Sequence, residues 1–318
     1  MSSSDPRPPV VVVTGPTATG KTPLAIEIAR RFGGEILNAD SMQVYRYMDI
    51  GTAKPTAEQR AQAPHHLLDV VTPDVLYSAG RYAEAAHRAA VAIRARGHLP
   101  ILAGGTGLYI RAFLEGLIPT GPPDEELRAV LEAEQAAAQA AGDPHRLHRR
   151  LEELDPESAA RIHPNDARRI TRALEIVHAS KSASRVRADH AFGDRPYRVL
   201  HFALMLERAT LDARIDARCK AMIDAGLLQE MRELVGRGYG TELRPMQSIG
   251  YRHMVPVLQG SDILPNALAA MQRDTRRFAR RQLTWLRGVP ERVEVDPRSP
   301  DAIYSCVERF LSSAHELA

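Results

Sequence analysis

The chain has 318 residues, 44% of them hydrophobic and 25% charged, with a formal net charge of +3. That length and balance fit one large or two ordinary globular domains with a real core, and exclude a disordered or fibrous chain. No apolar run approaches the roughly 18 residues of a membrane-spanning helix, so the sequence predicts no membrane segment. The charge is mild, so any nucleic-acid surface must come from local clustering rather than bulk basicity. The opening MSSSDPRPP lacks a basic-then-apolar leader pattern and reads as a short loose tail. Cys219 and Cys306 lie far apart and form neither a metal spacing nor a disulfide framework, which suits a reducing cytoplasm.

Taken in order, the first structured stretch is VVVVTGPTATGKTP, Val10–Pro23. A β-branched strand runs into G-x-x-x-x-G-K-T and a helical pattern follows, the context a phosphate-binding loop requires. Gly15, Pro16, Thr17, Ala18, Thr19 and Gly20 would wrap phosphate oxygens with backbone N–H groups. The next helix adds the positive end of its dipole. Lys21 supplies a point charge, and the Thr22 hydroxyl is placed to hold a Mg²⁺ that bridges phosphates. The motif binds a di- or triphosphate without saying which.

Leu24–Phe32 reads as a helix stopped by Gly33 and Gly34, and Glu35–Ala39 as a strand with Asp40 at its carboxyl end. Ligands of open α/β sheets sit outside the carboxyl ends of strands, so Asp40 is expected to face the phosphate loop. Ser41–Pro55 reads as a loop with at most one helical turn, Pro64–Val70 as a strand edge and Ser78–Arg96 as a helix. Leu99–Ala103 is a third buried strand that runs into a second glycine turn, Gly104-Gly105-Thr106-Gly107, and Leu108–Gly116 a helix. Alternating strands and helices predict an α/β fold, a P-loop NTPase-like parallel sheet flanked by helices.

The texture changes at IPTGPP, residues 118–123, a linker signal. Up to about Ala191 no strand-like run occurs; Glu125–Ala141, Pro144–Leu154, Pro156–Ile162 and Ala167–Ser180 read as helices. Arg198–Leu206 is an apolar strand that could rejoin the first sheet. The domains expected are therefore a core of residues 1–120 with 192–318 and an all-helical insertion of residues 121–191. Helices at Thr210–Ala225 and Leu228–Arg237, a loop over Gly238–Gln247, helices to Arg287, a short strand in RVEV and a helix at Pro300–Ser312 complete the chain.

Three constellations carry chemistry. Asp40 beside a phosphate loop is a catalytic base or substrate anchor, against the alternatives of a helix cap or an outer ligand of Mg²⁺. No apolar strand ends in the Asp that usually holds Mg²⁺ beside such a loop, which argues against ordinary ATP hydrolysis. Arg273, Arg276, Arg277, Arg280 and Arg281 share one helical face with only Asp274 to offset them locally, a surface for a polyanion rather than a solvated face. Arg161, His163, Arg168, Arg169 and Arg172 form another basic group. Two arginine faces suggest a large charged ligand gripped at two places. The histidines, among them His65, His66, His145, His148 and His163, show no metal pattern.

Eight motifs in order then resemble the tRNA dimethylallyltransferases: GPTATGKT at 15–22, DSMQVY at 40–45, MDIGTAKP at 48–55, PHHLLD at 64–69, AGGTGLY at 103–109, RIHPNDARRITRALE at 161–175, SIGYR at 248–252 and RRQLTWLR at 280–287. The resemblance implies transfer of a dimethylallyl group from dimethylallyl diphosphate to N6 of the adenosine immediately 3′ of the anticodon, in tRNAs reading codons that begin with U. It implies that the phosphate loop holds the donor's diphosphate, with Arg214 and Arg218 approaching it and Mg²⁺ on Thr22. Asp40, Lys21, Thr22 and Thr106 are the implied catalytic set. Implied RNA contacts are Asp40, Ser41, Met42, Gln43, Thr106 and Arg128; Arg168, Arg169, Ile170, Thr171 and Arg172; Gln247, Ser248, Ile249, Gly250, Tyr251 and Arg252; and Arg280, Arg281, Gln282, Leu283, Thr284, Trp285, Leu286 and Arg287. The tRNA partner would present its anticodon stem-loop to a monomer in the cytoplasm. The Cys/His zinc extension of eukaryotic relatives is absent, so the bacterial form is implied. Thr19, Arg168 and Gln247 depart from the commonest family residues. The competing readings are a P-loop small-molecule kinase, an adenylate isopentenyltransferase and a nucleic-acid-binding NTPase.

Overall fold

Val10–Val13 are wholly buried, and their pairing explains why. A computed structural model describes residues 5–117, 124–180, 183 and 195–312. The strands are β1 (Pro9–Thr14), β2 (Gly34–Ala39), β3 (His65–His66), β4 (Leu99–Gly104), β5 (Arg198–Leu204) and β6 (Val293–Val295). They form one sheet in the order β3-β2-β4-β1-β5-β6, parallel at every pairing. β1 is flanked by β4 and β5, with Val12 opposite both Leu102 and His201. Val10 and Val12 pack into one apolar layer with Leu37 and Leu102, while Val11 and Val13 join Ile36, Ile101 and Phe202 in the other. A strand covered on both faces needs a continuous apolar run, not an alternating one.

The helices are α1 (Lys21–Phe32), α2 (Ala57–Gln62), α3 (Ala79–Ala95), α4 (Gly107–Glu115), α5 (Glu125–Ala140), α6 (Arg146–Leu154), α7 (Pro156–Arg161), α8 (Ala167–Ser180), α9 (Arg208–Asp224), α10 (Leu227–Gly236), α11 (Tyr251–Leu258), α12 (Leu264–Arg287) and α13 (Pro300–Ser312). Helices α1 and α13 cover one face of the sheet through residues such as Ile28, Ile303 and Val307. Helices α3, α4 and α9 to α12 fill the other layer. The chain divides into two compact units, Met1–Leu114 with Pro196–Ala318, and Glu115–Arg195. Those divisions fall a few residues outside the boundaries read at 121 and 191, and the linker stretch 118–123 lies outside the described residues. The smaller unit has its own apolar centre, which includes Leu131, Leu147, Leu151, Ile170 and Leu174.

Three local expectations are corrected. The strand read over Pro64–Val70 is only His65–His66, because Leu67 and Asp69 adopt positive φ of 65° and 55° and break the extended run. Helix α2 went unread although Thr56 and Gln59 form a capping box at its start. The stretch read as loop to Gln247 contains a 3₁₀ turn, Arg244–Gln247, opened by Pro245.

Glu35, near the amino end of β2, carries a pH-dependent share of the stability. Its carboxylate accepts Arg96 Nε at 2.9 Å and a second guanidinium nitrogen at 2.6 Å. His98 Nδ1 and His66 Nε2 each lie 2.6 Å from it. The Arg96 guanidinium, and then the two imidazoles, outweigh burial and hold this carboxyl down at about 2. A folded value below the unfolded one stabilises above the ordinary glutamate range, and that share disappears as pH falls toward 2. Glu35→Gln is expected to lower stability near pH 7 by about 2 kcal/mol, discounted because the Arg96 side chain is half-exposed to solvent. Urea unfolding at neutral and acid pH checks this; a gap of the same size at both would assign the effect to packing instead.

Candidate active site

The connections from β1 and β2 carry the chain toward one edge of the sheet, and those from β3, β4 and β5 carry it back toward the other. Strands β1 and β4 are neighbours at that reversal, so the crevice beyond their carboxyl ends is where an open α/β sheet binds its ligand. Two loops line it: residues 15–20 after β1 and residues 105–106 after β4.

The first loop is held by its own groups. The Thr19 hydroxyl donates to the Pro16 carbonyl at 2.8 Å and is buried. Ala18 sits at φ 66°, a left-handed conformation that disfavours a non-glycine residue by about 1–2 kcal/mol and that recurs at functional loops. The Lys21 ammonium folds over the loop and donates to the Gly15 and Pro16 carbonyls at 3.0 and 2.8 Å. Burial, and then the neighbouring Arg218 charge, push Lys21 down to about 7, while Asp40 opposes them. Arg218 on α9 is likewise lowered by burial and raised by Asp40. Lys21, Arg218 and Asp40 therefore share one electrostatic neighbourhood, with two cations around one carboxylate. Arg214 lies one turn earlier on α9 and is exposed.

Asp40 follows β2, and its Oδ1 accepts the Met42 N–H at 2.8 Å. Among the described residues no hydrogen bond occupies its other oxygen. Thr106 reaches across from the β4 turn: its Oγ1 accepts the Ser41 N–H at 2.9 Å and donates to Ser41 Oγ at 3.3 Å. The structure thus brings Asp40, Ser41 and Thr106 together. Gln43 is buried, and its amide donates to the Thr52 and Ala53 carbonyls, so it braces the 41–55 loop instead of lining the crevice.

The anticipated RNA-facing stretches divide by burial. Arg168, Arg169, Gln247, Arg252, Arg280, Arg281, Thr284 and Arg287 are exposed, and Ser248, Ile249, Leu283 and Trp285 are half-buried. Ile170, Thr171, Gly250, Tyr251, Gln282 and Leu286 are buried, so within these stretches the side chains open to solvent are the others. Arg128 makes a bidentate pair with Glu175 at 2.7 and 3.1 Å, and Arg172 donates to the same carboxylate at 2.7 Å. On α12, Arg276 pairs with Asp216 of α9. Asp274 accepts Arg252 at 2.6 Å. The cationic stripe read from the sequence is therefore narrower, and Arg280 and Arg281 are its exposed members without a carboxylate partner among the described residues.

One residue was missed, and another was read only as an RNA contact. Glu230 on α10 accepts the backbone N–H groups of Asp49, Ile50 and Gly51 at 2.8, 2.7 and 3.0 Å and the Tyr251 hydroxyl at 2.6 Å. Its carboxylate raises the Tyr251 phenol, after burial. Gln282 on α12 joins the two crevice loops: Oε1 accepts the Thr17 N–H at 2.9 Å, and Nε2 donates to the Gly105 carbonyl at 3.0 Å. A Cβ on Gly105 would lie 2.3 Å from that Nε2, so a larger residue there would push the amide off its hydrogen bond. Glu230 carries no local signal, since it sits in an ordinary helical stretch; Gln282 lies within the RRQLTWLR motif, which does not show that it braces the two loops.

Among the described residues no group of three or more His, Cys, Asp or Glu could hold a metal ion. The Thr22 hydroxyl, at the start of α1, makes no hydrogen bond to the protein among those residues. That donor set fits a hard ion carried mainly by phosphate oxygens and water.

A parallel sheet with this loop at its reversal point, and a carboxylate and two basic side chains in one neighbourhood, defines the class of proteins with a P-loop NTPase-like fold. A family model described as IPP transferase matches residues 43–289. The tRNA dimethylallyltransferase of Desulfosudis oleivorans is 48% identical over 307 residues, covering 96% of each chain. The crystal structure of the full-length tRNA isopentenylpyrophosphate transferase of Bacillus halodurans is 36% identical with a TM-score of 0.71, covering 98% of this chain and 99% of that one. A eukaryotic dimethylallyltransferase acting on tRNA is 26% identical with a TM-score of 0.79, covering 96% of this chain and 80% of the other. The family model matches well over half of the chain and the relative spans nearly all of it, so this chain belongs to the IPP transferase family.

Proposed function

We propose that the protein transfers a dimethylallyl group from dimethylallyl diphosphate to N6 of the adenosine immediately 3′ of the anticodon, in tRNAs that read codons beginning with U. The observation that carries this reading is the phosphate loop with Lys21 folded over it, beside Asp40 held at the next strand end by the Met42 N–H and next to the Thr106–Ser41 bond, with Arg218 in the same charged neighbourhood. A cationic cradle for a leaving group faces a proton acceptor. Loop N–H groups, Lys21 and Arg218 would take the charge that develops on pyrophosphate as the allylic C–O bond breaks. The N6 lone pair forms the new C–N bond, and Asp40 takes the N6 proton. Thr106 holds the Ser41 backbone, and with it the place of Asp40. Thr22 would hold a Mg²⁺, which neutralises pyrophosphate oxygens when bound. The working form is a cytoplasmic monomer that receives the anticodon stem-loop.

Labelled dimethylallyl diphosphate offered with unmodified tRNA, AMP, or ATP plus small hydroxyl acceptors tests this. Label in tRNA alone is expected. Label in AMP would assign an adenylate isopentenyltransferase, and ATP consumption without label transfer a kinase or NTPase. RNA binding should also be salt-dependent. Removing both Arg280 and Arg281 is expected to flatten the plot of log affinity against log salt by about one per lost phosphate contact. An unchanged slope would place the RNA elsewhere.

A further inference from the structure

Helix α12 has two working faces near its end. Outward it carries Arg280 and Arg281. Inward it carries Gln282, which holds Thr17 and Gly105, and Trp285, whose ring would lie 2.4 Å from a Cβ on Gly107. Gln282 and Trp285 stand three apart and so share a face, while one residue step from Arg281 to Gln282 turns the side chain by about 100°. The same turn of helix thus touches solvent on one side and both crevice loops on the other.

We infer that Gln282 is a positioning residue that couples RNA seated on α12 to the diphosphate held in the 15–22 loop, a reading that rests on the function proposed above. Its primary amide is matched to the task. The oxygen takes the Thr17 N–H, and the NH₂ gives to Gly105, so one side chain fixes the gap between the two loops. It also withdraws the Thr17 N–H from the set that can meet phosphate. RNA that immobilises the arginine face immobilises Gln282, and the diphosphate then meets loops already ordered. Linkage makes the effect reciprocal: diphosphate tightens RNA by the same factor.

The test titrates inorganic pyrophosphate with Mg²⁺ into the full chain, with and without an unmodified anticodon stem-loop, and follows melting of each variant. Wild type is expected to bind pyrophosphate at least about fivefold more tightly when RNA is present. In Gln282→Met, which keeps the length and loses both hydrogen bonds, that factor should fall to about one while RNA affinity stays as in wild type. Gln282→Glu provides the second variant: it keeps the Thr17 acceptor, faces the Gly105 carbonyl with a carboxylate oxygen, and should also lose the factor. A wild-type factor of one, or variants that fold and keep the wild-type factor, overturns the inference. A structural role alone would lower melting and weaken both ligands without touching their ratio. Failure of the functional reading is separate: it appears as wild-type enzyme that transfers no label to tRNA, whatever the pyrophosphate titration gives.

Discussion

Asp40→Ala is expected to lose roughly 10² to 10⁴ in turnover, the range for removal of a general base, while diphosphate binding is retained. The second half follows from charge. Asp40 is a negative group in the neighbourhood of Lys21 and Arg218, so its removal takes away repulsion of the donor rather than attraction. Asp40→Asn separates chemistry from structure. The asparagine oxygen can still accept the Met42 N–H that Asp40 accepts at 2.8 Å, so the start of the 41–55 loop keeps its brace. Yet the amide takes no proton. Single-turnover transfer with donor and RNA both saturating gives the answer, and a near wild-type rate in either variant would remove Asp40 as the base.

The second large effect belongs to Lys21→Met. The change removes the charge that meets the leaving pyrophosphate and leaves the Gly15 and Pro16 carbonyls without the donor they now have. Loss of roughly 10² to 10³ in kcat/KM for the donor is expected, the size seen when one preorganised charge-stabilising donor is removed. Because the interaction strengthens as pyrophosphate leaves, kcat should fall along with kcat/KM. A rise in KM at constant kcat would mean that Lys21 only binds the ground state. With the donor saturating, KM for RNA should not move in either case.

The parts of this site that the sequence revealed are those whose chemistry fixes a spacing. The loop from Gly15 to Thr22 is legible because phosphate binding needs those residues in that order. Asp40 and Thr106 were legible because each follows a recognisable buried strand. What stayed hidden depends on contacts between distant elements. Gln282 lies in RRQLTWLR, which reads as one basic surface until the helix is given an inside and an outside. Arg276 reads as part of the same stripe, but Asp216, sixty positions earlier, claims it. Glu175 claims Arg128 from forty-seven positions away, and no local pattern announces either pairing. Strand β3 failed for a different reason: its apolar continuation is spent on two left-handed residues, Leu67 and Asp69. Asp69 is held by Lys54 and Arg60.

The place of β1 between β4 and β5 also sets a timetable for the nascent chain. Its four valines emerge from the ribosome first, yet one of their two edges stays open until β5 has been made. At about 5–20 residues per second, translation takes roughly 10–40 s to cover that distance. During this interval an apolar strand with an unsatisfied edge is a template for aggregation. Slow codons between α4 and β5 would therefore depress the yield of active enzyme far more than the same codons placed after β6.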